Sequence, residues 1–369
     1  MDGHTENSTI RAVQWNGNKN LKLAHINVSD LPPLKEGQVR VAPAWCGICG
    51  SDIGEWAHGP IFSVSATTVG HEMSGIIRET HPSVTSQHPN LKPGTRVAVH
   101  PIVSDGTCHR CLAHYSGGCE NFSIRGIMLD GGMQELLNVE ADKCFPLPDH
   151  IPLDVAALVE PVSVAWQGVK AGFKSAGVER TDRVLVLGTG PIGIATLACL
   201  KARGVDLGNV MVVGRNKARN AKALELGVKH LYDSSVCDVA ATARQLFDEY
   251  GAEIVFDAVA TQSTFDDGIA ALRRAGTYVM YGIFHEPVTF DANQIMMRSL
   301  KIVGTICYAD EDYPEVIDAM ADGRISMNEL KKWITGRVPL ENAEEGGLKE
   351  LVKNKAKHMK ILIRVNELE

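Results

Sequence analysis

The run Val184-Leu-Val-Leu-Gly188-Thr-Gly190-Pro-Ile-Gly193 constrains the fold more than any other stretch of the chain. Four consecutive apolar residues read as a buried strand, and the glycine-patterned turn behind it opens a helix with Pro191 in the first turn, where a missing N–H is tolerated. Gly188 permits the tight turn, Gly190 lets backbone approach a pyrophosphate, and Gly193 lets the helix pack on the strand. Pro191 and Ile192 stand at the helix N-terminus, whose free N–H groups suit an anion. Glycine-rich turns are common, so the motif alone does not name its ligand.

Its surroundings do. Strands are expected at 184–187, 210–213, 230–232, 254–257, 277–282 and 300–304, with helices at 218–226, 239–250 and 263–274 between them. Such alternation predicts a parallel sheet covered on both faces, and makes the turn a dinucleotide site. Before residue 150 the texture differs: short alternating segments broken by Pro and Gly, such as Gln38-Val-Arg-Val-Ala, predict a β-rich region. Residues 80–93 read as a polar surface loop carrying His81 and His88 as solvated side chains. Residues 155–173 have helical spacing, and the C-terminal part reads as helices at 313–320 and 344–353 followed by the strand Lys360-Ile-Leu-Ile-Arg-Val. Lys353, Lys355, Lys357 and Lys360 read together as a solvated cationic helix end complementing the dipole.

A length of 369 residues implies two domains. The net charge of −7 argues against a general nucleic-acid or anionic-membrane binder. Residues 1–8 are polar and acidic, without the basic start and apolar core of a signal peptide, and no apolar run approaches the roughly 20 residues that span a bilayer. Cytoplasmic residence is the expectation. Nine cysteines, an odd number, then favour thiols and metal ligands over disulfides. Cys144, Cys199, Cys237 and Cys307 lie singly in apolar surroundings and read as core thiols.

The other cysteines fall into two clusters. Cys46-Gly-Ile-Cys49-Gly-Ser51-Asp52 is followed by Gly70-His71-Glu72 and, much later, by Val159-Glu160-Pro161. A catalytic zinc needs about three Cys, His or carboxylate ligands and an open position. Spacing leaves open whether these residues supply them or are core thiols and a satisfied histidine. The second cluster, Asp105-x-x-Cys108-x-x-Cys111 with Cys119 after a short spacer, has three thiolates at the spacing of a closed tetrahedral zinc site.

Together these stretches resemble the zinc-dependent medium-chain dehydrogenase/reductase family, in particular its 2,3-butanediol and polyol (sorbitol, xylitol) dehydrogenase branch. The likeness rests on Cys49-Gly-Ser-Asp52, Gly70-His71-Glu72-x-x-Gly75, Lys92-Pro-Gly-Thr-Arg-Val97, Leu158-Val-Glu-Pro161, Val164-Ala-Trp166, the glycine turn, Gly59-Pro-Ile-Phe62, Val255-Phe-Asp257 and His358-Met-Lys-Ile-Leu362. It implies a β-rich GroES-like zinc domain at 1–165 and 306–369, and a Rossmann-type, doubly wound parallel-sheet domain at 166–305. It further implies that Cys49 rather than Cys46 is the thiolate ligand, His71 the imidazole ligand, and Glu160 or Glu72 the carboxylate ligand. Asp52 would orient the histidine. Ser51 would bind the substrate hydroxyl and pass its proton outward. Many relatives carry a histidine three residues after that serine, where this chain has Gly54; His58, water and the cofactor ribose are the alternatives for the proton. Asp105 stands in the first of the family's four structural-zinc cysteine positions, with His109, His114 or an empty lobe as the other readings. The family commonly forms homodimers or homotetramers through the cofactor domain.

An NAD site usually carries Asp or Glu at the end of the second strand. Alignment with the family puts Gly214 there, followed by Arg215, Lys217 and Arg219. A glycine removes repulsion against a 2′-phosphate and Arg215 offers a bidentate fork, with Lys217 or Arg219 adding charge, so NADP(H) is expected. The other reading makes them exposed cations at a strand end. Trp56, Phe62, Phe284 and Tyr308 are candidates for the substrate pocket wall or for ordinary core. The expected activity is hydride transfer between NADP(H) and a secondary alcohol, diol or polyol and its ketone. The alternatives are a zinc-free quinone or enoyl reductase of the same superfamily and a non-catalytic NADPH-binding protein.

Overall fold

In the computed structural model, which describes residues 9–17, 19–59, 63 and 66–368, the strand Val184–Leu187 lies inside a six-stranded sheet with all four of its residues buried. The chain divides into two compact units, residues 1–160 with 330–369, and residues 161–329.

In the second unit the strands run, across the sheet, His230–Tyr232, Met211–Val213, Val184–Leu187, Ala252–Asp257, Leu272–Met280 and Lys301–Gly304, every neighbouring pair parallel. Numbered within the unit this is the order 3-2-1-4-5-6 of the doubly wound dinucleotide fold. Helices Pro191–Ala202, Lys217–Leu226, Val239–Leu246 and Gln262–Ala271 connect the strands, close to where the sequence periodicity places them. Local chemistry sets their ends. The Asn216 side chain accepts the Arg219 N–H, and Gly227 at φ 113° stops that helix. The helix expected to run to residue 274 ends at Ala271, where Arg298 donates to Ile269 O (3.0 Å) and to Leu272 O, satisfying carbonyls at the helix end. Asp257, fully buried, accepts the Val259 and Ala260 N–H groups and the Tyr278 hydroxyl at 2.6 Å, which fixes the turn after its strand.

The first unit is built on an antiparallel sheet. Gln38–Gly47 pairs with Glu72–Thr80, with Leu137–Glu140 and with the C-terminal strand Lys360–Arg364. Arg96–Val99 and Cys144–Pro146 extend one side, and Ile334–Pro339 lies parallel to Lys360–Arg364 on the other. The expected polar loop at 80–93 contains a short helix, Pro82–Gln87, capped by the His81 ring, which accepts the Ser83 N–H. Among the described residues no helix is long and apolar enough to cross a membrane.

The chain returns to the first unit at residue 330 rather than at the expected 306. The reason is the helix Asp312–Ala321, held to the second unit by polar bonds: Lys170 Nζ donates to Asp312 Oδ1 at 2.7 Å and Trp166 Nε1 to Glu315 Oε2 at 2.5 Å. Asp312 is fully buried and also accepts the Ala309 N–H at 2.7 Å. Asp312→Ala leaves that N–H without its partner and takes from the Lys170 ammonium its shortest contact, with Glu315 Oε2 remaining at 3.3 Å, and is expected to cost about 2 kcal/mol. The check is a lowered urea midpoint of the second unit, with Asp322→Ala, at an exposed site, leaving the midpoint in place.

Candidate metal centre and dinucleotide turn

Two pieces of local structure bring the first cluster together. Cys49 is the N-cap of the helix Gly50–His58, and His71 and Glu72 stand at the start of the strand Glu72–Thr80. One ligand atom from each of Cys49, His71 and Glu72 lies within 4.8 Å of the others. Asp52 ties them: its Oδ2 accepts the Cys49 N–H at 2.8 Å, and its Oδ1 stands 3.5 Å from His71 Nδ1, a buried atom with no hydrogen bond. A thiolate, an imidazole and a carboxylate converging in a buried corner fit a zinc ion with an open fourth position. Cys46 lies outside this group; burial pushes its thiol up, and its Sγ faces Gly47 O at 3.8 Å.

Lys360 departs from the expected solvated cluster. It is only 4% exposed, and its Nζ donates to both Glu72 oxygens, at 2.6 and 2.7 Å, and to Ile48 O at 3.1 Å. Burial works against the ammonium, yet the pull of Glu72 and Cys49 outweighs it and holds Lys360 above the usual lysine range. The misreading has a physical source. Lys360 opens an apolar strand that crosses the core, whereas Lys353, Lys355 and Lys357 stay exposed. Glu160 is also buried and adds to the negative field at Lys360, but lies outside the group formed by Cys49, His71 and Glu72.

Ser51 is half-buried in the first turn of the same helix as Asp52, and His58 is exposed at its end. Among the described residues no atom outside the helix backbone lies within 4 Å of where a Cβ on Gly54 would stand. Trp56 is core, donating from Nε1 to Glu344 Oε1 at 3.2 Å. Tyr308 packs on Tyr313 and Phe284 on Phe265, both inside the second unit. Phe62 lies outside the described residues.

The second cluster also assembles: ligand atoms of Asp105, Cys108, Cys111 and Cys119 lie within 4.8 Å of one another, without His109 or His114. Asp105 Oδ1 accepts the Thr107 and Cys108 N–H groups at 2.8 and 2.9 Å, and Oδ2 accepts from Asn121 Nδ2 at 2.9 Å, which holds the carboxyl below its usual range. The Asn121 N–H also donates to Cys119 Sγ at 3.3 Å. Three thiolates and one oriented carboxylate fit a closed tetrahedral zinc site. Asn121 carried no spacing signal in the sequence.

At the glycine turn, Gly188 has φ 101°, and a Cβ on Gly193 would lie 2.0 Å from Gly188 O. Gly190 is the N-cap of the helix Pro191–Ala202, and Arg219 Nη1 lies 3.8 Å from the place its Cβ would take. Burial pulls the Arg219 guanidinium down. Gly214 ends the strand Met211–Val213; beyond it Arg215 donates from Nε to Ser234 Oγ at 2.8 Å and extends its field to Asp233 and Asp267. Lys217 is exposed at the start of the next helix. Thr189 and Asn220, which no sequence pattern singled out, are hydrogen-bonded to each other beside Gly214.

Residues 35–149 match the alcohol dehydrogenase GroES-like domain and residues 191–322 the zinc-binding dehydrogenase domain. An (R,R)-butanediol dehydrogenase of Neisseria gonorrhoeae is 31% identical over 359 residues, covering 92% of this chain and 97% of the relative. A D-xylulose reductase A of Aspergillus oryzae is 33% identical over 324 residues, covering 85% of this chain and 87% of its own. The crystal structure of 2R,3R-butanediol dehydrogenase from Bacillus subtilis superposes with a TM-score of 0.85 at 29% identity, over 97% of this chain and 100% of that one. The chain therefore belongs to the zinc-dependent medium-chain dehydrogenase/reductase family, in its butanediol and polyol dehydrogenase branch.

Proposed function

We propose that this protein is a zinc-dependent oxidoreductase that moves a hydride between NADP(H) and a secondary alcohol, vicinal diol or polyol and its ketone. The observation that carries the reading is the convergence of Cys49, His71 and Glu72 on one buried point, with Asp52 touching two of them. Bound there, zinc would supply a Lewis acid, which pulls the pKa of a bound water or alcohol down toward neutrality, and the nicotinamide would accept the hydride or return it in the reverse direction.

The chain's own residues do the rest. Cys49, His71 and Glu72 hold the ion. Asp52 fixes the Cys49 backbone and faces the imidazole, and Lys360 donates to both oxygens of Glu72, holding that carboxylate in place. Glu160 remains a neighbour of Lys360. Ser51 accepts the proton of the substrate hydroxyl and hands it to water or to the cofactor ribose, since Gly54 offers no imidazole. Asp105, Cys108, Cys111 and Cys119 hold a second, structural zinc. Gly188, Gly190, Pro191, Ile192 and Gly193 cradle the pyrophosphate on the helix N-terminus. Gly214 and Arg215, with Lys217 and Arg219 adding charge, take the 2′-phosphate. NADPH as cofactor favours ketone reduction as the working direction.

The strand Lys301–Gly304 is an edge of its sheet, and Ile302, Ile306, Met296 and Met297 are exposed at or near it. An unpaired edge with apolar flanks supports a homodimer or homotetramer formed through the second unit. Nine cysteines, with no disulfide among the described residues, support residence in the reducing cytoplasm.

Glu72→Gln is expected to lower the zinc content of purified protein from two ions per chain to one and to abolish turnover, whereas Glu160→Gln keeps both ions; elemental analysis showing the reverse assigns the carboxylate to Glu160. Arg215→Ala is expected to weaken NADPH about tenfold or more while leaving NADH unchanged, the loss of one charge-assisted contact. Parallel assays of diols, polyols and ketones with both cofactors check this, and an unchanged preference contradicts the NADP(H) assignment.

A further inference from the structure

Gly214 is a glycine for want of space. Its φ is not in the left-handed region, so the backbone does not demand one. A Cβ there would lie 2.4 Å from Asn220 Oδ1 and 2.6 and 2.7 Å from Thr189 Oγ1 and Cγ2. The two side chains come from different elements, Thr189 from the glycine turn and Asn220 from the helix Lys217–Leu226. Thr189 Oγ1 donates to Asn220 Oδ1 at 2.8 Å, and Asn220 Nδ2 donates back to Gly214 O at 3.0 Å. Thr189 is 4% exposed and branched at Cβ, so it has little freedom to turn aside. The backbone is pinned as well: Gly214 N–H bonds to Tyr232 O at 2.9 Å and Gly188 N–H to Val213 O at 2.8 Å.

We propose that Thr189 and Asn220 form a neutral plug that determines cofactor choice, closing the strand end to the carboxylate an NAD site places there. The inference rests on the NADP(H) reading for its biological sense. Its physical content is that making room for a side chain at position 214 requires breaking the Thr189–Asn220–Gly214 hydrogen bonds. The plug leaves glycine and Arg215 at the strand end; Arg215 Nε donates to Ser234 Oγ, and the rest of its fork would meet a 2′-phosphate.

The test measures NADPH and NADH dissociation constants by fluorescence titration of the full chain without substrate. The proteins are wild type, Gly214→Asp, the double variant Thr189→Ala/Asn220→Ala, and the triple variant combining all three. Gly214→Asp alone is expected to lose NADPH affinity without gaining NADH affinity, and the triple variant to bind NADH about tenfold tighter than the double variant. A folded Gly214→Asp protein that gains NADH as much as the triple variant does, or a folded triple variant with no gain over the double, overturns the plug. Should Gly214→Asp fail to fold, Gly214→Ala decides: it lowers the thermal midpoint in the wild-type background and less in the double-variant background, and equal losses overturn the inference. Wild-type protein that binds NADH more tightly than NADPH contradicts the NADP(H) reading, a result separate from the comparison of single and triple variants.

Discussion

The buried ion pair between Lys360 and Glu72 is the contact on which the first unit depends. Taking an ammonium and a carboxylate out of water is costly, and the cost is recovered only if geometry is good and the remaining donors find partners. Here both carboxylate oxygens are engaged, and the ammonium has a third acceptor in Ile48 O. The pair joins residues 288 positions apart, because the C-terminal strand lies against Gln38–Gly47 in the register Leu362 to Gly47, while Gly47 faces Glu72 on the other side. The same backbone that carries Cys46 and Gly47 runs on into Cys49, so the ion pair and the metal ligands are positioned by one strand.

The second unit solves a different problem by close approach. Backbone must pass near a ligand's phosphates, and the turn achieves this by removing side chains where they would collide. Gly193 against Gly188 O is one such case, and Gly214 against Thr189 and Asn220 is the same device at the other end of the proposed cofactor site. One glycine serves the packing of a helix on a strand; the other, in the proposed plug, would serve the choice between two cofactors that differ by one phosphate.

What the sequence made legible was local. Val184–Leu187, the turn and the following helices were readable because buried strands, caps and helical periods are written in neighbouring residues. The likeness to known dehydrogenases named Cys49, His71 and two glutamates, but spacing could not choose between the glutamates. The structure brings Glu72 to the other two. Lys360 was hidden by its company, three exposed lysines just before it, although its place at the head of Lys360-Ile-Leu-Ile marks it as the first residue of a buried strand. Thr189 and Asn220 were invisible because a hydrogen bond across 31 residues leaves no periodic trace. The return of the chain at residue 330 leaves no local trace for a similar reason: a helix at 312–321 has the same pattern in either unit, and its bonds to Lys170 and Trp166 come from far along the chain.

The proposed activity depends on a zinc ion held by Cys49, His71 and Glu72. Anomalous diffraction across the zinc absorption edge, on crystals of the purified protein, tests it most directly. The predicted result is a peak bonded to Cys49 Sγ, a His71 ring nitrogen and a Glu72 oxygen, with Lys360 still paired to the outer face of that carboxylate. A zinc-replete protein with no peak at these three residues, or with the ion held by a set that excludes them, would contradict it.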